Sequence, residues 1–297
     1  MSDTTAGTKT YDVAVLGCGL MGAALARNFA AQGLRTAAWN RSPDKAEALA
    51  PDGVTPVRDI ADAVRDARLV VACTSTYGTT KTSLEGTTDW AGTTLVNIGT
   101  GTPGEAEDMQ AWATARGARY LDGAILCYPQ QVGTGEGMIL YSGSPEAWAE
   151  HEQVLMTPGP YSALVSDNVK AASVLDAAVV GGFYSAALNA YVEAATYAFS
   201  QGIDPETLNA ISEMTFQVIA ATGKECVAAI ASDQHETDTA YLGTYADGCR
   251  ATLGVMQEAG FKARLLEAAV ANLTEAQEAG LGGLGFSALT KVTRTSV

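Results

Sequence analysis

Three features of the sequence predict an α/β fold in which a doubly wound parallel sheet is followed by an all-helical second half. Strand-like and helical segments alternate over roughly the first 165 residues. A glycine-punctuated turn, Val13-Ala14-Val15-Leu16-Gly17-Cys18-Gly19-Leu20-Met21-Gly22, joins the first strand to the first helix. From about Asp167 the alternation stops and alanine-rich helical sequence takes over. The expected organisation is a sheet domain over residues 1–166, a long interdomain helix over 167–201 and a helical domain over 202–297.

The first turn carries the chemistry. A β-branched strand feeding Gly17, Gly19 and Gly22 gives a tight turn, a bare backbone that a pyrophosphate can approach, and close packing of helix on strand. The helix that follows, over residues 23–32, then points its N-terminus at the phosphates. This is a dinucleotide site on a Rossmann sheet, with Gly17, Gly19, Leu20, Met21 and Gly22 as its loop. The second strand ends in Trp39-Asn40-Arg41-Ser42, where an NAD-binding chain would place a carboxylate for the ribose hydroxyls. Asn40, Arg41 and Ser42, with Lys45 one turn into the next helix, instead suit the 2′-phosphate of NADP(H) through charge-assisted bonds.

A third apolar strand over residues 69–74 runs into Ser75-Thr76-Tyr77-Gly78, which places Thr74 and Ser75 at the carboxyl edge of the sheet beside the cofactor. Residues 94–98 form a further strand, followed by Gly99-Thr100-Gly101-Thr102-Pro103 and a helix over 105–116. Residues 120–126 and 138–142 complete the sheet as extra strands at its edge, and Gly143-Ser144-Pro145 opens another helix. Residues 168–200 contain no proline and stop at Gln201-Gly202. As one helix of about 30 residues this segment is near 45 Å long at about 1.5 Å per residue. Apolar on most of its circumference, it is expected to bridge two domains and pack against a second subunit. Further helices follow from Asp204-Pro205-Glu206, with breaks near Ala231-Ser232-Asp233 and over residues 280–285.

At 297 residues, 47% hydrophobic and 17% charged, the chain can bury two cores. A net charge of −15 argues against nucleic acid and against anionic membranes as partners, and favours a small neutral or cationic substrate. The polar residues 1–10 lack the pattern of a signal peptide and read as a loose tail. Apolar stretches such as residues 177–190 are expected to fall short of a membrane span. Cys18, Cys73, Cys127, Cys226 and Cys249 include no close pair and read as reduced, mostly buried thiols of a cytoplasmic protein. His151 and His235 stand in acidic sequence and are expected to be exposed, so no metal site and no histidine triad is anticipated.

Asp176 is the only acid between Asp167 and Glu193 on the long helix. A lone carboxyl among Val, Leu and Ala is expected to be desolvated, which raises its pKa and suits a general acid. A surface aspartate on a polar stripe is the alternative. Tyr184, eight residues on, falls about 80° round an α-helix and about 12 Å along it, either bordering the same cavity or satisfied in the core.

The combination of the glycine loop with Asn40-Arg41-Ser42, Asn97-Ile98-Gly99-Thr100-Gly101-Thr102-Pro103 and Gly123-Ala124-Ile125-Leu126-Cys127-Tyr128-Pro129-Gln130-Gln131-Val132-Gly133 resembles the NADPH-dependent imine reductases over essentially the whole chain. The resemblance implies a domain-swapped homodimer that takes a small imine, or a carbonyl compound plus an amine. It also implies hydride transfer from nicotinamide C4, with Asp176 as proton donor or iminium anchor. Tyr184 would support Asp176 or touch substrate, Thr100 would stand at the Rossmann rim, and Asn97 would belong to the cofactor side. Phe183, Met214, Phe216 and Tyr241 are either pocket walls or plain core. The related β-hydroxyacid dehydrogenases carry a lysine on the long helix followed by paired asparagines. Here Asp176 and Ala178-Val179 stand in their place, and Lys170 lies nearly two turns earlier. Two other readings stand beside the reductase: an NADP-dependent β-hydroxyacid dehydrogenase, and a non-catalytic NADPH-binding dimer.

Overall fold

The computed structural model describes residues 9–294, which fall into two compact units divided between Gly182 and Phe183. Most of the expected tail, residues 1–8, lies outside the described residues. In the first unit the elements run β1 (Tyr11–Leu16), α1 (Leu20–Ala31), β2 (Thr36–Trp39), α2 (Pro43–Glu47), β3 (Thr55–Pro56), α3 (Ile60–Asp66), β4 (Ala67–Ala72), α4 (Tyr77–Leu84), β5 (Thr94–Asn97), α5 (Pro103–Thr114), β6 (Arg119–Ile125), β7 (Ile139–Gly143), α6 (Pro145–Leu155) and β8 (Ala163–Ser166).

The eight strands form one sheet in the order β3-β2-β1-β4-β5-β6-β7-β8, parallel throughout except for the antiparallel β6–β7 pair. Chain order reverses between β1 and β4, so a crevice opens at the carboxyl ends of those two strands. The expected edge strands at 120–126 and 138–142 are present as β6 and β7. The sequence reading missed β3 and β8, so the strand expected third is fourth. β3 is two residues long and β8 alternates exposed and half-buried positions, so neither offers a continuous apolar run.

Both faces of the sheet are covered, as a parallel sheet requires. Val13, Val15, Leu69, Val71, Val96 and Leu121 pack with Leu25 and Phe29 of α1 on one face. Leu16, Val70, Leu95, Met109 and Trp90 pack on the other. Removing a ring as buried as that of Phe29 would cost about 3–5 kcal/mol. Helix starts follow local capping rules. Thr102 accepts from the Glu105 N–H while the Glu105 carboxylate accepts from the Thr102 N–H, and Ser144 caps α6 through the Ala147 N–H.

The long helix is continuous over Ala171–Ser200 but not uniform. It opens as α7 (Ala171–Leu175), runs as a π-helix over Asp176–Tyr184, and resumes as α8 (Ser185–Ser200). The i→i+5 bonding of the middle stretch changes the angular step per residue, so the α-helical angle expected between Asp176 and Tyr184 does not apply. By length and hydropathy Ala171–Ser200 is sufficient to cross a membrane, contrary to the expectation from its polar interruptions.

The second unit continues from within that helix with α9 (Pro205–Ser232), α10 (Leu242–Glu258) and α11 (Arg264–Glu278), then a 3₁₀ turn over Phe286–Lys291. Its core is small: Leu242, Ala246, Leu273, Ala276 and Ala288. The Glu193 carboxylate of α8 accepts from the Arg264 and Leu265 N–H groups and so caps α11. His235 is buried rather than exposed, with Nδ1 2.9 Å from the Ser287 hydroxyl. His151 is likewise buried, 3.0 Å from the Thr94 hydroxyl. Acidic neighbours in sequence mislead at both positions, because each ring lies on the inward side of its segment. Of the five free cysteines only Cys18 is fully buried.

Candidate active site

The loop after β1 is built by close backbone approach. Gly17 has φ +97°, and a Cβ there would lie 2.4 Å from the Cys73 carbonyl oxygen. A Cβ at Gly22 would lie 1.8 Å from the Gly17 carbonyl oxygen. Only glycine fits either place. Asn40 locks the loop to the end of β2: its Oδ1 accepts from the Cys18 N–H at 2.9 Å and its Nδ2 donates to the Ser42 carbonyl at 3.0 Å. The N-terminus of α1, capped by Gly19 with no side-chain hydrogen bond and no acid in the first turn, keeps its N–H groups for an anion.

A cleft of ≈ 680 Å³ opens over this loop. Gly17, Gly19, Asn40, Arg41, Ser42, Lys45, Thr74 and Ser75, all expected at the cofactor, line it together. Its two cations have no carboxylate among the lining residues, in a chain of net charge −15. The lining also includes a run of hydroxyls, Thr76, Thr79, Thr82 and Ser83, of which the sequence placed only Thr76 beside the cofactor. The density of Thr and Ser from residue 74 to 83 is the signal that could have found it. The φ of Gly17, the room kept at Gly22, the open helix terminus and the acid-free pair of cations all fit a dinucleotide phosphate.

Other expected residues lie off this cleft. Leu20 projects outward, Met21 packs against the core, and Gly22 is buried under the loop. Asn97 is wholly buried at the end of β5, where its Oδ1 accepts from the Thr80 hydroxyl; that hydroxyl lies 2.7 Å from the Thr74 hydroxyl on the cleft wall. Thr100 is exposed on the loop after β5 and pairs as an isolated bridge with Thr76. Asp176 is half-buried, and that burial holds its carboxyl above the usual range. Tyr184 belongs to the second unit. Phe183, Met214, Phe216 and Tyr241 are all exposed, which removes the plain-core reading. Lys170 immediately precedes α7 and pairs with Glu107 at 2.9 Å.

A second cluster lies in the middle of β6, beside the carboxyl end of β5. Asp122 of β6 is wholly buried; its Oδ1 accepts from the Tyr77 hydroxyl at 2.5 Å and the Tyr120 hydroxyl at 2.9 Å. Burial pushes this carboxyl up to about 7 despite the two phenols, and the charge of Asp176 adds to the rise. No motif marks Asp122 in the sequence, because its partners come from α4 and its own strand.

The doubly wound sheet, the glycine cradle and the cation-lined cleft define a dinucleotide-binding protein of the oxidoreductase class. Residues 12–166 match the NAD binding domain of 6-phosphogluconate dehydrogenase, and residues 168–295 match the C-terminal domain of the NADPH-dependent reductive aminase-like family. The chain belongs to the family of imine reductases and reductive aminases. An NADPH-dependent reductive aminase of Aspergillus oryzae is 31% identical over 174 residues, a stretch spanning 58% of this chain and 59% of that relative. The solved imine reductase of a Pseudomonas species superimposes with a TM-score of 0.90 at 27% identity, covering 96% of this chain and 99% of its own. A reductive aminase of Aspergillus terreus, solved with NADPH and ethyl levulinate, does so with a TM-score of 0.89 at 26% identity, covering 96% and 100%.

Proposed function

We propose that this protein uses NADPH to reduce imines to amines, including imines formed from a ketone and a small amine. The observation that carries the reading is that the long helix presents a carboxyl, Asp176, whose burial favours the protonated form. The one lysine near it, Lys170, is already paired with Glu107. A hydroxyacid oxidation would need that amine free.

NADPH would be held by the Gly17-to-Gly22 loop and the α1 N-terminus at its pyrophosphate and by Arg41, Ser42 and Lys45 at its 2′-phosphate, with Asn40, Thr74, Ser75 and Asn97 shaping the sheet edge. Bound NADPH supplies a hydride. Addition to an iminium carbon is far easier than to a neutral imine, so the protein's task is to place or stabilise positive charge on the nitrogen. Asp176 does this by donating its proton to a neutral imine or, once ionised, by anchoring an iminium. In this reading Thr100, at the Rossmann rim, touches the substrate nitrogen or the nicotinamide side, and Tyr184 supports Asp176 or touches substrate. The reading includes a homodimer, in which the apolar side chains exposed on α8 and α9 are covered by a second copy, and a cytoplasmic location. Its parts are a Rossmann domain over 1–166, the interdomain helix over 167–201 and a helical domain over 202–297.

The test is NADPH consumption with 2-methyl-1-pyrroline beside NADP⁺ reduction with 3-hydroxyisobutyrate. Turnover on the imine alone is expected, with Asp176→Ala lowering it at least about tenfold, the lower scale of general-acid contributions. Turnover on the hydroxyacid alone would overturn the reading, and an unchanged Asp176→Ala rate would remove that residue from the mechanism.

A further inference from the structure

Three wholly buried polar side chains stand in register across adjacent strands: Asn97 of β5 opposite Asp122 of β6, and Asp122 opposite Ser142 of β7. Ser142 anchors the start of the long helix, donating its hydroxyl to the Val169 carbonyl at 2.8 Å and accepting from the Ala172 N–H at 3.0 Å. Ala172 is itself fully buried, and α7 packs against β6 and β7. Asp176 lies one turn beyond Ala172, on the same helix face. The helix is therefore pinned beside Asp122 at the point from which Asp176 rises, and the charge of Asp176 is felt at Asp122.

Asp122 is poorly equipped to be an anion. Its Oδ1 has two phenol donors, but its Oδ2 has no partner. The titratable groups facing it are Tyr120 on its own strand, Tyr77 from α4 and Asp176 from the long helix. Asn97 and Ser142, its cross-strand neighbours, do not titrate. On α5, Glu105 acts on the Tyr77 phenol, and Glu107 takes Lys170, the cation at the start of α7. None of the groups acting on Asp122 is a cation. Ionising Asp122 while Asp176 is charged sets one negative charge against another beside a wholly buried carboxyl.

We propose that Asp122 and Asp176 form a coupled carboxyl pair that retains one proton at neutral pH, with Asp122 the positioning residue that keeps Asp176 able to donate. This rests on the reading of Asp176 as proton donor. In turnover the proton leaves the Asp176 carboxyl for the imine nitrogen while hydride from the cofactor adds to the carbon. The product is the amine, and the doubly ionised pair regains a proton from water. Reduction of neutral imines then falls as pH rises through the loss of the shared proton, and the pair, rather than Asp176 alone, sets where that fall lies.

The test is a ¹³C-carboxyl NMR titration of the full chain labelled at aspartate, without substrate, together with the pH profile of kcat on a neutral cyclic imine. The wild type is expected to show a carboxyl titrating near 7 that Asp122→Asn abolishes. Asp176→Asn is expected to move it to lower pH, because the charge of Asp176 is one of the causes that raise it. In Asp122→Asn the alkaline fall in kcat is expected at lower pH, with KM for NADPH unchanged. The proposal is overturned if Asp176→Asn leaves the high titration in place, or if the alkaline limb of Asp122→Asn stays where it is. Should Asp122→Asn not fold, the Asp176→Asn titration decides by itself. Coupling seen by NMR in a protein inactive on every imine would support the pair and overturn the catalytic reading, so the two failures are distinguishable.

Discussion

Arg41 and Lys45 are cations lining a cleft with no carboxylate, in a chain with 33 acidic and 18 basic residues. A guanidinium there gains from a 2′-phosphate and gains little from a bare ribose hydroxyl, so the residue type itself encodes the preference. Arg41→Ala is expected to weaken NADPH by at least roughly tenfold, the scale of one charge-assisted hydrogen bond, and to leave NADH nearly unchanged. Fluorescence titration with both cofactors checks this, and equal losses would remove the 2′-phosphate assignment. The two histidines teach the opposite lesson. Their acidic neighbours suggested exposure, yet each ring is buried against a hydroxyl. Sequence neighbours report on the local chain; burial depends on which side of an element faces inward.

Among the elements, the β1–α1 turn was legible because its constraint is local. Gly17 needs a positive φ, and Gly22 must let the helix lie on the strand. Gly22→Ala would drive a methyl against the Gly17 carbonyl, at the cost of overpacking, about 1–3 kcal/mol. Thermal unfolding should show a lower Tm, and added NADPH should restore less stability than in the wild type; an unshifted Tm would mean that the turn relaxes freely. The long helix was legible in extent but not in kind. Its π-helical stretch, Asp176–Tyr184, contains Val179-Val180-Gly181-Gly182 in an otherwise apolar sequence, and hydrophobic periodicity does not report which hydrogen-bond step the backbone takes. β3 was missed because two residues paired at a sheet edge leave no pattern.

At the scale of the whole molecule, the second unit has a small core and broad apolar exposure. Val192, Ile211, Met214, Val218 and Val227 on α8 and α9 are each more than half exposed. An apolar surface of that breadth on helices is the kind that marks an interface. Light scattering is expected to give twice the chain mass. A stable, active monomer would contradict the proposed dimer.

The sequence by itself determined the doubly wound sheet, the glycine loop and the basic corner at Arg41. Each follows from residues close together in the chain, where φ, hydrophobic period and charge act locally. It also singled out Asp176, because one carboxyl in an apolar helix is visible as an exception. Only the tertiary structure brought out a second carboxyl, Asp122, that the charge of Asp176 reaches. Asp122, Tyr77, Tyr120 and Ser142 come from α4, β6 and β7 and meet only when the sheet register places them side by side. Burial and coupling between carboxyl groups depend on that through-space arrangement, and spacing along the chain does not encode it.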